Sequence, residues 1–307
     1  MFFNLKSLRL LIAMVVIVLS GSFAFSCSGG VGGEVASGEN APRIVDLDTV
    51  SGRQSLDSVT AESWLLVEAS TGYPIHGKDW NRRLPPASLT KMMTCILALE
   101  NGADKMDDTI RITDDVFVAK NSRVRLNDAY LMKNLLVEMM LLSDNDAAFA
   151  IAKHIAGDTL KFCKLMNRKA RELNMTRTHF SNPNGIPNDS NYSTAQDLMR
   201  LMTYCMRDPR FAKIVGTVEE DIPLADGRHI PSKNTNRLLE EYEGCIGVKT
   251  GFINSSGGCL AVAARRDGVT LYLVLLKSRY GRRFSEAPLI LDYGFNVVKA
   301  AKQKTTN

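Results

Sequence analysis

The sequence predicts an α/β sandwich: an antiparallel sheet, completed from both ends of the chain, with a mainly helical block inserted between its halves. Three observations carry this. Strand patterns open the folded part, a long run of helical patterns follows, and strand patterns return before a final helix. The late strands are joined by Arg266-Asp267-Gly268, a tight hairpin signal that makes them antiparallel. The chain has 307 residues, 45% hydrophobic and 23% charged, enough for one large domain or two small ones.

The first strand pattern is Trp64-Leu65-Leu66-Val67-Glu68-Ala69; Ser70-Thr71-Gly72 turns it into Tyr73-Pro74-Ile75, a β-hairpin. Pro85-Pro86-Ala87 stops the extended chain, and Ser88 to Leu99 reads as a helix with Met92, Cys95, Ile96 and Leu99 on one face. Helical patterns continue at Tyr130 to Leu142, Asp146 to Ala156, Leu160 to Leu173 and Thr194 to Met206, the last with Ser193 and Thr194 as its start signal. Gly244 to Val248, Cys259 to Ala264 and Val269 to Leu276 read as strands, and a helix runs from about Ser285 to Lys299. The catalytic domain is assigned to 58–307, with the helical subdomain at about 100–235.

The N-terminus carries other information. Lys6 and Arg9 precede an uncharged apolar run, Leu10 to Phe25, and Ala24-Phe25-Ser26 offers a small-x-small cleavage site. The run is shorter than the roughly 20 residues that span a bilayer, which favours a cleaved signal peptide, 1–26, over a retained anchor. Ala-Phe-Ser-Cys resembles a relaxed bacterial lipobox, with Cys27 as the lipidated residue; ordinary signal peptidase would cut the same bond. The Gly- and Ser-rich stretch from Ser28 favours lipidation, because a flexible tether follows such an anchor, and 27–57 reads as linker.

Charge and cysteines exclude other classes. Lys6 and Arg9 supply two of the five net positive charges, so the rest is near balance, with no basic stripe and no nucleic-acid partner expected. Cys95, Cys163, Cys205, Cys245 and Cys259 form no disulfide framework and no CxxC pair, and read mostly as small buried hydrophobes. No metal and no organic cofactor are expected.

Three short motifs carry chemistry. In Ser88-Leu89-Thr90-Lys91, positions i and i+3 share a helical face, so the Lys91 amine can approach the Ser88 hydroxyl. Serine is a poor nucleophile until a base takes its proton, and a neutral lysine can do so. That requires a pKa lowered by about 2 to 3 pH units, expected from burial and from the charge of Lys249. Ser143-Asp144-Asn145 offers a hydroxyl and an amide two residues apart. Lys249-Thr250-Gly251 ends a strand pattern with a cation, a hydroxyl and a position where a substrate backbone can lie close. Singly they are weak: about one Ser-x-x-Lys and one Ser-x-Asn arise by chance in such a chain, and Lys-Thr-Gly in about one chain in ten.

In this order the three match the motifs of serine β-lactamases and penicillin-binding proteins. Over about 60–298 the chain resembles the D-alanyl-D-alanine carboxypeptidases, the low-molecular-mass penicillin-binding proteins. Residues 85–94, 143–148, 178–185, 191–197 and 247–252 carry the likeness. The resemblance implies a β-lactamase/DD-peptidase-like fold and a reaction on D-alanyl-D-alanine ends of peptidoglycan peptides, with β-lactams as covalent inhibitors. It implies Ser88 as the acylated nucleophile, Lys91 as base, Ser143 as proton relay and Asn145 on the substrate amide. Lys249 and Thr250 would meet the terminal carboxylate, with Gly251 alongside, and the N–H groups of Ser88 and Phe252 would form the oxyanion hole. In a regular strand Lys249 and Thr250 point to opposite faces, so both serve only if the strand borders the site. Arg237 is a further candidate for the carboxylate, placed by no motif.

Many family members add a β-rich C-terminal domain; this chain ends about nine residues after Val298, so none is expected, and short members include endopeptidases. A class A β-lactamase needs Glu-x-x-Leu-Asn, and the nearest match, 170–174, has Ala170 in place of the glutamate. A non-catalytic relative would have lost a motif residue, and esterases on this scaffold often depart from Lys-Thr-Gly; all three motifs are intact here. His179 is expected to structure a turn, and the membrane is a partner only through a lipid at Cys27.

Overall fold

A computed structural model describes residues 56–117 and 122–306. The expectations for the signal peptide, for Cys27 and for the linker up to residue 55 lie outside the described residues.

The main sheet has five antiparallel strands, β1 (Ser63–Glu68), β2 (Pro74–Lys78), β7 (Cys245–Ile253), β8 (Gly257–Arg266) and β9 (Val269–Ser278), in the order β2-β1-β9-β8-β7. The early and late parts of the sheet meet where β1 pairs with β9, Trp64 opposite Leu275 and Leu66 opposite Leu273. Period-two alternation splits β1 between two cores. Leu65 and Val67 face the helical block with Ala261, Ala263, Val274 and Leu276. Trp64 and Leu66 face the other side with Leu260, Val262, Leu271 and Leu273, under the C-terminal helix α8 (Arg283–Thr306). With both faces covered, β8 and β9 read as nearly unbroken apolar runs.

Between the sheet halves lie α1 (Lys91–Asn101), α2 (Met132–Leu141), α3 (Asn145–Ala156), α4 (Thr159–Glu172), α5 (Ala195–Cys205), α6 (Pro209–Gly216) and α7 (Leu238–Glu241). Asp144, Asp158, Thr194 and Asp208 cap four of them, each accepting a backbone N–H of the first turn. The block is not purely helical. It holds two small antiparallel pairs, β3 (Thr109–Arg111) with β4 (Ala129–Leu131) and β5 (Glu219–Pro223) with β6 (His229–Lys233). The expected helix from Tyr130 therefore starts at Met132, after a strand. These strands escape a pattern reading because each buries so little: Ile110 alone in β3, Tyr130 alone in β4, Ile222 alone in β5. No described helix is long and apolar enough to cross a membrane.

Candidate active site

The expected helix from Ser88 is two elements. Ala87–Thr90 forms a 3-10 turn, and α1 begins at Lys91. In a 3-10 turn side chains three apart eclipse one another, which puts Lys91 over Ser88 more directly than an α-helix would. The Lys91 Nζ donates to Ser88 Oγ at 2.9 Å. Ala87, entering the turn, has φ +50°, a left-handed conformation that costs an alanine about 1 kcal/mol or more.

Lys91 is fully buried and has two further acceptors, Asn145 Oδ1 at 2.8 Å and the Asn184 carbonyl at 2.8 Å. Burial pushes its pKa down to about 7, against the opposing pull of the Asp144 carboxylate. The amine is thus neutral for much of the time near pH 7. The expected contribution of Lys249 to this is not what lowers it; burial is.

The second motif is fixed by its middle residue. Asp144 caps α3 through Ala147 N at 3.0 Å, accepts from Ser122 Oγ at 2.6 Å, and accepts from the backbone of Arg123 at 2.6 Å. Ser143, half-buried before it, has φ +62°. One carboxylate thereby holds both the 122–124 segment and the turn that presents Ser143 and Asn145.

The third motif lies within β7, which continues two residues past Gly251 to Ile253 rather than ending there. Because β7 is the sheet edge, Lys249 and Thr250 can both serve the cleft, and both are buried. Lys249 Nζ donates to the Thr250 carbonyl at 3.0 Å, and burial, Lys91 and Arg283 hold its pKa well below the ordinary lysine range. The hydroxyls of Thr250 and Thr235 share a hydrogen bond of 2.6 Å. A Cβ on Gly251 would stand 3.1 Å from both Ala87 Cβ and Ser88 N, so its absence lets the strand pass against the nucleophile turn.

Two groups that the sequence reading passed over belong here. Asn184 lies in the 178–185 stretch, and its carbonyl holds Lys91. Arg283, in the first turn of α8, is half-buried beside Phe252, 6.0 Å from that ring; its Nε is buried with no hydrogen-bond partner among the described residues. Burial and neighbouring Arg237 act to lower its pKa. Arg237 itself pairs with Glu241 at 3.2 Å; both arginines stack on Phe284, and of the two it is Arg283 whose charge acts on Lys249. No motif spacing announces either residue. His179, expected in a turn, instead forms an isolated antiparallel bridge with Tyr192, and its Nδ1 lies 2.6 Å from the Ser190 carbonyl. Ala170 is buried inside α4, and Glu172 is engaged by Lys169 at 3.3 Å. The five cysteines among the described residues are free; Cys95, Cys163, Cys205 and Cys259 are buried, and burial lifts the Cys163 and Cys259 thiols to about 11. Among the described residues no group of three His, Cys, Asp or Glu side chains could hold a metal ion.

The family of D-alanyl-D-alanine carboxypeptidases matches residues 50–279, which include all three motifs. The chain belongs to that family. It is 33% identical over 242 residues to the D-alanyl-D-alanine carboxypeptidase DacF of Bacillus subtilis, covering 77% of this chain and 62% of DacF. It therefore spans less than two thirds of that relative. It is 30% identical to the D-alanyl-D-alanine endopeptidase of Escherichia coli, covering 77% of each chain. Among solved structures, the DD-transpeptidase of Streptomyces K15 superposes with a TM-score of 0.73 at 30% identity, over 78% of this chain and 98% of that one. The fold is that of the DD-peptidases, and the family makes this carboxypeptidase homologue a serine-type peptidase.

Proposed function

We propose that this enzyme trims the terminal D-alanine from peptidoglycan stem peptides through an acyl-enzyme on Ser88. The observation that carries the reading is the buried Lys91 amine, lowered to about 7 and 2.9 Å from the Ser88 hydroxyl. Neutral Lys91 accepts the Ser88 proton as Oγ attacks the carbonyl of the penultimate D-alanine. The backbone N–H groups of Ser88 and Phe252 receive the oxyanion; the approach of Gly251 to Ser88 N supports this pairing. Ser143 passes the proton to the leaving amine. Asn145 accepts from Lys91 through its Oδ1, which leaves its Nδ2 to donate to the carbonyl of the substrate's peptide amide. Lys249, Thr250 and Arg283 receive the terminal carboxylate, whose negative charge suits the Arg283 guanidinium and favours the protonated form of the buried Lys249 amine. Water then releases the shortened peptide from Ser88.

Monomeric pentapeptide muropeptide incubated with the protein is expected to lose one D-alanine, read by mass spectrometry. Penicillin, which mimics the acyl-D-Ala-D-Ala end, is expected to leave its adduct on Ser88 alone. An adduct elsewhere with Ser88 free would overturn the mechanism. Splitting of cross-linked dimers without release of D-alanine would favour the endopeptidase reading, which the similarity to the Escherichia coli endopeptidase supports.

Such a substrate places the enzyme in the cell envelope, exported by the N-terminal signal and held at the membrane by a lipid on Cys27. Wild-type protein is expected to partition with membranes and incorporate labelled fatty acid, and Cys27→Ser to lose the label. Soluble wild type with an unmodified N-terminal Cys27 would show ordinary secretion instead.

A further inference from the structure

Beside Phe252 stands an aromatic ring that the reaction as described does not use. Tyr280 is 81% exposed and Phe252 37%, and their rings meet edge to face at 5.2 Å between centroids. Tyr280 lies in the turn from β9 to α8, three residues before Arg283. So exposed a tyrosine gains little from the fold, and its surface is available to a ligand.

The ring is exposed, but its base is not loose. Arg282 N donates to the Arg279 carbonyl at 3.0 Å, closing the turn. Arg279 N donates to Thr60 Oγ1 at 3.0 Å. Thr60 in turn donates through its N and Oγ1 to Glu286 Oε1 at 2.8 and 2.6 Å, and Ser278 Oγ donates to Glu286 Oε2 at 2.7 Å. Glu286 is fully buried. One buried carboxylate therefore ties the start of the folded chain, the end of β9 and the first turn of α8 together, and Tyr280 rides on that knot.

The geometry points to Tyr280 as a specificity-determining residue that walls the leaving-group side of the cleft and favours removal of a single small residue over cleavage of a cross-link. This rests on the reading that Lys249, Thr250 and Arg283 hold the carboxylate of the leaving residue. With the carboxylate there, that residue's side chain lies toward Phe252, 6.0 Å from the Arg283 guanidinium, and toward Tyr280 beyond it. The methyl group of a terminal D-alanine fits inside such a wall. The leaving amine of a cross-link belongs to a residue that carries a second stem peptide, and that bulk must pass the Tyr280 ring.

The test compares kcat/KM for a monomeric pentapeptide muropeptide with that for a D-alanyl-cross-linked dimer. Tyr280→Ala is expected to raise the dimer-to-monomer ratio by about tenfold, chiefly through a lower KM for the dimer. Tyr280→Phe, which keeps the ring, is expected to keep the wild-type ratio. Penicillin labelling at Ser88 reports that the site is assembled in each variant. An unchanged or lowered ratio in a labelled Tyr280→Ala protein would overturn the proposal. So would loss of labelling in Tyr280→Ala together with a shifted ratio in Tyr280→Phe, since the residue would then support the site rather than select. A wild type that splits dimers and releases no D-alanine would sink the carboxypeptidase reading along with it; an unchanged ratio in a wild type that releases D-alanine sinks this inference alone.

Discussion

Lys91→Met is expected to slow acylation of Ser88 by penicillin about 10²- to 10⁴-fold, the scale of a lost general base. Methionine matches the length of the lysine stem and carries no base. Arginine would be a poorer probe, because Lys91 has no exposed surface and three acceptors already stand at 2.8 to 2.9 Å from its nitrogen. In the wild type the acylation rate should rise as pH passes about 7 and level off above it, because only the neutral amine accepts a proton. The methionine variant should lose that inflection with the rate. Stability follows the same group with a definite sign. The folded pKa lies below that of the unfolded chain, so between about 7 and 10.5 the unfolded state binds a proton that the folded state does not. Stability from this group therefore rises with pH across that window, by at most about 1.4 kcal/mol per pH unit, and is lowest below about 7. Stopped-flow acylation against pH checks the first claim. A methionine variant that acylates within tenfold of wild type would remove Lys91 from the role of base.

Gly185→Ala is expected to be the most damaging single-methyl change near the site. Gly185 has φ +84°, and a Cβ there would stand 1.9 Å from the Ala87 carbonyl oxygen and 3.0 Å from Thr90 Oγ1. The atoms struck hardest, the Ala87 carbonyl carbon and oxygen, are backbone of the nucleophile turn and cannot swing aside. The 182–186 segment would have to lift, stretching the Asn184 carbonyl from Lys91 and the Pro183 carbonyl from Thr94 Oγ1, which it accepts at 2.6 Å. Strain, overpacking and two disturbed buried hydrogen bonds together amount to about 3 to 5 kcal/mol. That corresponds to a fall of about 10 °C in the unfolding midpoint of a domain this size, with acylation reduced as Lys91 loses its position. Gly227→Ala is the control. Its φ is +85° and nothing lies within 4 Å of the added Cβ, so it carries the backbone strain without the collision, about 1 kcal/mol. Calorimetry that finds the two variants equally stable would show that the contact at Ala87 does not hold the turn.

The tight placement at Gly185 also marks where a linear reading stops. The Thr-His-Phe-Ser-Asn-Pro-Asn-Gly stretch was recognisable as a family feature, yet its use is a backbone carbonyl aimed at Lys91, and carbonyls have no residue signature. Arg283 shows a second limit. It sits 34 residues after Lys249 in the chain, and only the β7-β8-β9 meander and the Glu286 knot bring it back beside Phe252. Arg237, closer in sequence to Lys249, was the natural candidate and is instead paired with Glu241. The small sheets β3-β4 and β5-β6 were missed for a different reason: with about one buried side chain per strand they leave no alternation to detect.

By itself the sequence determined the things that depend on local order. Hydrophobic period separates strands from helices, Asp267-Gly268 specifies the hairpin between β8 and β9 through two left-handed residues, and Ser88 three residues before Lys91 ensures that hydroxyl and amine share a face. Whether that amine is a base was not local. Lysine at an exposed helix start would remain charged near pH 7. Here α1, α3 and the 182–186 loop close over Lys91 and remove its water, and the cost of a buried charge lowers its pKa to about 7. Chain order thus determined which atoms could meet; the packing of segments distant in sequence decided their protonation, because desolvation is a property of the enclosure and not of the residue.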